Sequence, residues 1–280
     1  MLLKNLNEGN GVLVKNLNKG NGAVLKIFRK IYEVIYNLLA VFIFIGLWEF
    51  IARLKIINPI FLPPFSKVVA AFLELFISGD IYANLFISLQ RSLTGFFVGL
   101  IVAIPLGLII GWFKKFEKFI DPLIQTFRNL SVLALLPVFV LFFGIGETSK
   151  VVVIAWAVTW SVLLNTISGV KNVDPQLIKA ARSMGVSNFS LFKTVIFPGA
   201  LTSIYTGIRI SATTSILVLI AAEMLGANTG LGYLLYLYQS NMKIPEMFSI
   251  IIILALLGLS VNYSLVGLEK KLFKWKEVFK

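Results

Sequence analysis

The sequence predicts an all-α protein that crosses a membrane six times, and three observations support this fold class. Hydrophobic residues make up 58% of the 280 positions and charged residues 14%, with a mean hydropathy of +0.89. Soluble globular domains have about a quarter charged residues. The apolar residues form runs of about 20, the length that a helix needs to cross a bilayer core. Lysine and arginine concentrate in alternate connecting segments, as they do in multi-pass proteins.

The first predicted element is a basic tail, residues 1–31, which is followed by span 1. The tail contains two related copies, KNLNEGNGVLV and KNLNKGNGAVL, both rich in Gly and Asn. Two such copies cannot bury a core, so we expect a flexible tail or, as the alternative, a segment lying on the membrane surface. The run Tyr32–Ala52 is long for a signal peptide, and we expect it to stay attached as span 1.

Spans 2, 3 and 4 are predicted at Leu89–Phe113, Leu123–Phe143 and Val151–Val170. Each run is predominantly apolar and long enough to cross the bilayer as a helix. Spans 2 and 3 contain Pro105 and Pro137. Because proline removes a helical hydrogen bond, these two spans are expected to be kinked.

A basic, half-polar segment, residues 174–198, separates spans 4 and 5. Asp174 is a suitable N-cap and Pro175 fits the first helical position. Gly185 can close this helix in the left-handed conformation. The apolar residues between these signals form one predicted stripe: Leu177, Ile178, Ala181 and Met184.

A second short helix is predicted after Gly185, with Ser187 as its cap and Pro198 ahead of span 5. Phe189, Phe192 and Ile196 are expected on one face of it. The segment is therefore predicted as helix, glycine hinge and helix. Such an element rests in the lipid headgroups or offers its apolar side to a groove in a partner protein.

Span 5, Gly199–Ala222, carries a polar stripe. Thr202, Thr206, Arg209 and Thr213 are spaced by 4, 3 and 4 residues, which places them on one helical face. The threonines either form hydrogen bonds between helices or line a solvated path. For Arg209 we favour a functional role, because a charge within a membrane is costly unless it is paired or hydrated.

Span 6 is predicted at Phe248–Leu268, and a second basic tail at 271–280. With the N-terminus on the inside, most connecting Lys and Arg residues fall on the cytoplasmic side. We therefore expect a multi-pass protein of the cell membrane with both termini in the cytoplasm. The net charge of +13 is explained by this bias and by anionic lipid, so no nucleic-acid partner is expected.

Composition also excludes several kinds of site. The chain has no Cys and no His, which excludes disulfides, thiolate sites and Ser-His catalysis, and no metal or cofactor is expected. It has no P-loop motif. None of the 13 acidic residues lies near the centre of a predicted span, which disfavours an ion-gradient carrier. If transport is active, its energy must come from another polypeptide.

Residues 179–198 resemble the EAA loop of importer-type ABC transporter permeases, whose pattern is E-A-A, three residues, G, nine residues and I-x-L-P. Ala180, Ala181, Gly185 and Pro198 match, whereas Lys179 replaces the acid and Phe197 the leucine. Four further segments resemble permeases of the nitrate, taurine and aliphatic-sulfonate importers. They are FLPPF at 61–65, RNLSVLALLP at 128–137, FFGIGETSK at 142–150 and AEMLGANTGLGY at 222–233.

The resemblance implies the type I importer (MetI-like) permease fold over residues 32–270, with 174–198 as the loop that couples to a cytoplasmic ATPase. It implies two ATPase copies, a second permease chain in a homodimer and an extracytoplasmic solute-binding protein. The implied coupling residues are Lys179, Ala180, Ala181, Gly185, Phe189, Phe192 and Pro198.

The resemblance also implies a function. The chain would be a transporter subunit and not an enzyme, importing a sulfonate, nitrate, taurine or similar solute while a separate chain hydrolyses ATP. The alternatives are an ATP-independent carrier or channel and a membrane enzyme acting on a lipid-linked substrate. An enzyme would need an intramembrane acid or nucleophile with an activating partner, and the sequence shows no such group.

Overall fold

The computed structural model describes residue 35 and residues 39–273, and the regular elements in that part of the chain are helices. The chain divides after Lys67 into two compact units. In the first unit, helix α1 covers residues 39–53, and a loop then returns to it. Trp48 Nε1 donates to the carbonyl of Pro63 at 3.0 Å, and the Glu49 carboxylate accepts from the backbone N–H and the hydroxyl of Ser66. These bonds hold residues 63–66 against α1.

The second unit contains a series of helices. They are α2 (Phe65–Ser78, which begins in the first unit), α3 (Asp80–Trp112), α4 (Lys114–Arg128), α5 (Val132–Phe143), α6 (Glu147–Lys171), α7 (Pro175–Ser183), α8 (Asn188–Leu191), α9 (Phe197–Gly226), α10 (Leu231–Ser240) and α11 (Ile244–Leu272). Of these, α3, α6, α9 and α11 are longer than the spans predicted there. Helices α2 and α10 were not predicted from the sequence.

Four helical stretches are long and apolar enough to cross a membrane: α3, α6, the stretch Asn188–Gly226, and α11. They confirm predicted spans 2, 4, 5 and 6. Predicted span 1 begins outside the described residues, and α1 covers its later part. The predicted tails, 1–31 and 271–280, also lie outside the described residues apart from 271–273.

The prediction of span 3 as one helix was wrong. Helices α4 and α5 are bent by 95° around residues 129–131. Asn129 Nδ2 donates to the carbonyl of Gln125 at 2.8 Å, and Ser131 has the extended backbone of an N-cap, so two polar residues end one helix and start another. Helix α5 has 12 residues and is only about 18 Å long. The bent pair therefore counts at most as one broken span.

The expected break at Pro198 is also absent, because α8 continues into α9 through a π-helical turn, Phe192–Ile196. The N–H of Phe197 donates to the carbonyl of Phe192, five residues earlier. A π turn of this kind widens the helix and lets it accommodate the missing N–H of Pro198. Helix α8, the second helix of the segment 174–198, is thus joined to span 5 by continuous helix.

The core of the second unit is a close contact between α3 and α6. Small residues repeat every four positions along α3: Gly95, Gly99, Ala103, Gly107 and Gly111. A Cβ added at Gly107 would lie 2.6 Å from Cβ of Thr166, and one at Gly99 would lie 2.7 Å from Val158. The contacts advance together along both helices, so α3 and α6 run parallel. Small residues at such spacing let membrane helices approach backbone to backbone.

Helix α9 crosses the other side of α6 in the antiparallel direction. Gly207 of α9 lies against Asn165, whereas Gly169 of α6 lies against Ser203 and Ala200. Glu147 at the start of α6 and Glu223 near the end of α9 therefore lie at one end of the three helices. The segment 174–198, which follows α6 and precedes α9, lies at the other end.

Candidate functional site

Helix α7 begins as its sequence predicts. The carboxylate of Asp174 accepts from the backbone N–H of Gln176 at 2.8 Å, and Pro175 occupies the first helical position. The cap satisfies one of the free N–H groups at the helix start, and proline lacks another. The predicted start of helix α7 is confirmed.

The predicted hinge is confirmed as well. Gly185 has φ +74°, and the N–H of Val186 donates back to the carbonyl of Ala181 at 3.3 Å. This is the left-handed closure that glycine allows at the end of a helix. Ser187 then caps α8 by accepting from the N–H of Ser190 at 3.3 Å.

The apolar residues of α7 lie on two different sides of the helix. Ile178 and Ala181 are half-buried against a core cluster that includes Val173 and Leu191. Leu177 and Met184 are 56% and 82% exposed, and Ala180 lies between them on the exposed side. The predicted single stripe is therefore divided: one side packs against the chain itself and the other is open.

The predicted shared face of the second helix was wrong. Ile196 is buried, Phe192 packs edge-on against Trp112 with ring centroids 5.4 Å apart, and Phe189 is 77% exposed. Phe189 and Phe192 already differ before the π turn begins at Phe192, so the difference follows from which residues the bundle covers. Phe189 is exposed beside the apolar space next to Trp112, and Phe192 and Ile196 pack against the core. Pro198 is exposed at the start of α9.

The polar stripe of α9 is partly satisfied within the chain. The hydroxyl of Thr206 donates to the carbonyl of Thr202 at 3.0 Å. Arg209 Nη1 donates to Glu269 of α11 at 2.7 Å, and the two side chains are 34% and 25% exposed. Thr213 is exposed and lines an apolar groove of about 680 Å³ between α9, α10 and α11. Thr202, Thr206 and Arg209 do not line that groove.

An ion network at the opposite end of the helices, buried at Arg91 and Glu223 and exposed at Glu147, was missed by the sequence analysis. Arg91 of α3 donates from Nη1 to Glu223 at 2.8 Å, and from Nε and Nη2 to both carboxylate oxygens of Glu147 at 2.5 and 2.6 Å. Lys150 also donates to Glu147 at 3.3 Å. The side chains of Arg91 and Glu223 are 5% and 0% exposed. Two positive and two negative groups balance one another there.

The same network fixes the turn between α9 and α10. Glu223 accepts from the hydroxyl of Ser88 and from the N–H of Gly232 at 2.9 Å, and Arg91 donates to the carbonyl of Thr229 at 2.7 Å. Gly230, with φ +114°, lies so close to the Glu223 carboxylate that a Cβ there would overlap it. Four helices, α3, α6, α9 and α10, are therefore tied together by one buried cluster.

A sequence signal for this network existed. Arg91 lies within a predicted span, and a buried arginine needs an acidic partner. Glu147 precedes predicted span 4 and Glu223 follows predicted span 5, so both lie on the predicted outer side of the membrane. The sequence therefore offers these two glutamates as candidate partners of Arg91. The contacts made by Thr229 and Gly232 could not be predicted in this way, because they depend on the folded α9–α10 connection.

Residues 103–274 match the family model described as binding-protein-dependent transport system inner membrane component. The chain belongs to this family. Its homologues include the "Putative aliphatic sulfonates transport permease protein SsuC" of Bacillus subtilis, 33% identical over 90% of this chain and 91% of that protein. The taurine transport system permease protein TauC of Escherichia coli is 32% identical over 83% of this permease and 86% of its own length.

The fold of the permease is likewise shared with a solved importer. A chain of the MetNI methionine ABC transporter, in an inward-facing conformation, superposes with a TM-score of 0.60 at 18% identity, over 66% of this chain and 93% of that one. At that identity the likeness concerns the fold alone. The predicted type I importer permease fold is confirmed, and the chain is an ABC importer permease of the sulfonate and taurine family with several membrane-spanning helices.

Proposed function

We propose that this permease forms the translocation pathway of an ABC importer as a homodimer, with two cytoplasmic ATPase subunits and an extracytoplasmic solute-binding protein. ATP hydrolysis takes place on the ATPase chains. Both termini of the permease lie in the cytoplasm, and so do α7 and α8. ATP binding closes the two ATPase subunits, draws the coupling helices together and rocks the spans from inward-open to outward-open.

The open side of α7 is the observation that carries this proposal. Leu177, Ala180 and Met184 are exposed on one side of the helix, while Ile178 and Ala181 hold the other side against the chain's own core. Phe189, beyond Gly185, is also exposed, at 77%. An exposed apolar surface on an anchored helix fits a groove in a partner protein. Because α8 runs through the π turn into α9, movement of a docked partner would be transmitted directly to a membrane span.

The pathway is proposed to run along the face of α9 that carries Thr202, Thr206, Arg209 and Thr213. The Arg209–Glu269 pair neutralises the one charge on this face. Thr213 and Asn262 contribute polar groups to the groove between α9, α10 and α11. A second permease copy would cover the groove and complete the path.

The proposed solute is a sulfonate, taurine, nitrate or a similar small compound, as the names of the homologues suggest. Arg91 and Arg209, which lie within spanning helices, are each paired with a glutamate and are not free to bind an anion. This pairing supports selection of the solute by the binding protein and passage through a permease that is not itself strongly selective.

Uptake into proteoliposomes tests the proposal. The permease is reconstituted with its ATPase and binding protein, and uptake of labelled taurine, an alkanesulfonate and nitrate is measured with ATP and with a non-hydrolysable analogue. ATP-dependent uptake of one of these compounds is expected. Gradient-driven uptake by the permease alone, unaffected by ATP, would instead support the carrier or channel alternative.

A further inference from the structure

A cavity of about 670 Å³ lies where the ends of α3, α4, α6 and α7 meet. Its floor is apolar and includes Trp112, Val173, Ile178 and Leu191. The cavity lies behind α7, on the side of that helix that faces the bundle. It is therefore separate from the exposed surface formed by Leu177, Ala180 and Met184.

Five basic side chains line this cavity: Lys114, Lys118, Lys171, Lys179 and Arg182. Among the described residues that line it, Glu117 is the acid, and it accepts from Lys171 Nζ at 2.7 Å. The other four cations form no ion pair within 4.0 Å with any residue in the described part of the chain. A concave site with four uncompensated positive charges concentrates anions.

The placement of two of these lysines is unfavourable without an anion. Lys114 and Lys118 lie in or next to the first turn of α4, where the helix dipole is positive and acidic side chains are preferred. An anion in the cavity would interact favourably with both the lysines and the free N–H groups of that turn. On α7, Lys179 and Arg182 are spaced so that both reach the cavity from the opposite side.

A second, apolar cavity lies next to the basic one, so a ligand that filled both would have an anionic part and an apolar part. About 300 Å³ of apolar space lies beside Trp112, and the aliphatic and aromatic side chains that line it with Trp112 are Leu108, Ile109, Phe113, Phe189 and Phe192. Trp112 contributes to both cavities, and such an indole is typical of the boundary between headgroup and hydrocarbon. A basic pocket next to an apolar one on the exposed side of a spanning helix matches an amphipathic anion.

We propose that the basic cavity binds a phosphate-bearing anion, supplied by the headgroup of an anionic phospholipid whose acyl chain enters the apolar cavity. Basic pockets between membrane helices are suited to such headgroups. The bound headgroup bridges α4 to α7 and holds the coupling helix against the bundle while its open side remains available to a partner. Free phosphate offers the same headgroup chemistry without the acyl chain, and the test distinguishes the two sources.

The test uses the purified full-length chain in nanodiscs of equal phosphatidylcholine and phosphatidylglycerol, with retained lipid measured by native mass spectrometry. The wild type is expected to retain phosphatidylglycerol in preference to phosphatidylcholine. Lys118→Gln/Arg182→Gln should weaken retention about 30-fold, because each cation near a membrane contributes about fivefold. Lys115→Gln removes an exposed neighbouring charge that does not line the cavity, and should leave retention unchanged. The charge-preserving Lys118→Arg/Arg182→Lys should retain the lipid, which separates charge from misfolding.

A second measurement adds inorganic phosphate to the lipid-free chain in detergent and follows the thermal midpoint. A rise in the wild type that is absent in Lys118→Gln/Arg182→Gln, without selective lipid retention, would support the site with free phosphate as its ligand. Equal retention of the two lipids together with no phosphate effect would overturn the proposal. Equal losses in Lys115→Gln and in the cavity variant would overturn it too. These readouts do not depend on transport, so they stand apart from the proposed function.

Discussion

Arg91 Nη1 and Glu223 Oε1 lie 2.8 Å apart, although 132 residues separate them in the sequence, and both side chains are almost completely buried. The remaining groups of this pair are also bonded. Arg91 donates further to Glu147 and Thr229, and Glu223 accepts further from Ser88 and Gly232. A buried ion pair contributes favourably only when its other hydrogen-bonding groups are satisfied in this way.

Glu223→Gln should therefore destabilise the permease strongly. Glutamine has nearly the same side-chain shape as glutamate but no charge, so Arg91 is left with one acidic partner. Breaking a buried ion pair lowers the free energy of unfolding by about 3–5 kcal/mol. We expect the lower end of that range, because Glu147 still pairs with Arg91. The measurement is the thermal midpoint of the purified protein. Glu269→Gln is the matched control: it breaks a partly exposed pair and should cost at most about 1 kcal/mol. Equal shifts for the two variants would contradict this account.

Gly230→Ala should destabilise the same cluster by a different route. Its φ of +114° is strained for any residue with a Cβ, and that Cβ would overlap the Glu223 carboxylate. Gly226→Ala, at the end of α9, meets no atom within 4 Å and serves as control. We expect a clearly lower thermal midpoint for Gly230→Ala alone. An unchanged midpoint would show that the turn and the carboxylate can move apart at little cost.

Gly107→Ala tests the contact between α3 and α6. In an open helix, replacing Gly by Ala gains about 1 kcal/mol of helix propensity. At Gly107 the added methyl would lie 2.6 Å from Cβ of Thr166 and 3.1 Å from the backbone of Leu163, so the helices must separate. The sign should reverse: Gly107→Ala should lower the thermal midpoint, whereas Gly267→Ala, also within a helix and with no atom within 4 Å, should leave it equal or raise it. A stabilised Gly107→Ala would refute the close packing of these helices.

Local signals explain most of what the sequence predicted correctly. The cap at Asp174, the proline after it and the left-handed Gly185 all depend on bonds within a few residues. Four spans were identified because their length and apolar character do not depend on neighbours. Where the prediction failed, the cause was also physical. Asn129 and Ser131 interrupt an apolar run that is otherwise long enough for a span.

Non-local contacts account for what the sequence did not reveal. Tertiary packing covers Phe192 and Ile196 but leaves Phe189 exposed, and periodicity alone does not show this. The partners of Arg91 come from two other helices, α6 and α9, and from the turn that follows α9. The apolar residues of α7 were predicted to form one stripe. The periodicity of the sequence shows where apolar residues recur, but it does not show which of them the bundle covers. Ala181, in the predicted stripe, faces the core, and Ala180 faces outward.

This difference between two adjacent alanines gives the last prediction. Ala180 is exposed beside Leu177 and Met184, on the surface proposed to dock the ATPase. Ala180→Asp would place a charge in that interface, which costs several kcal/mol when no partner group is present. The isolated permease should keep its thermal midpoint, because the new carboxylate remains in water until docking. Co-purification of the ATPase and substrate-stimulated ATP hydrolysis should be lost.

Ala181→Asp should have the complementary effect, since its side chain packs against the cluster of Val173, Leu191 and Ile196. Burying a carboxylate there lowers the thermal midpoint of the permease itself, whether or not the ATPase is present.

Lys179→Ala, which removes a charge from the cavity side of α7, should leave ATPase co-purification unchanged. A folded Ala180→Asp that still binds and stimulates the ATPase would mean that docking uses a different surface. Loss of ATPase binding in a stable Lys179→Ala would instead indicate an ionic contact with an acidic group on the ATPase.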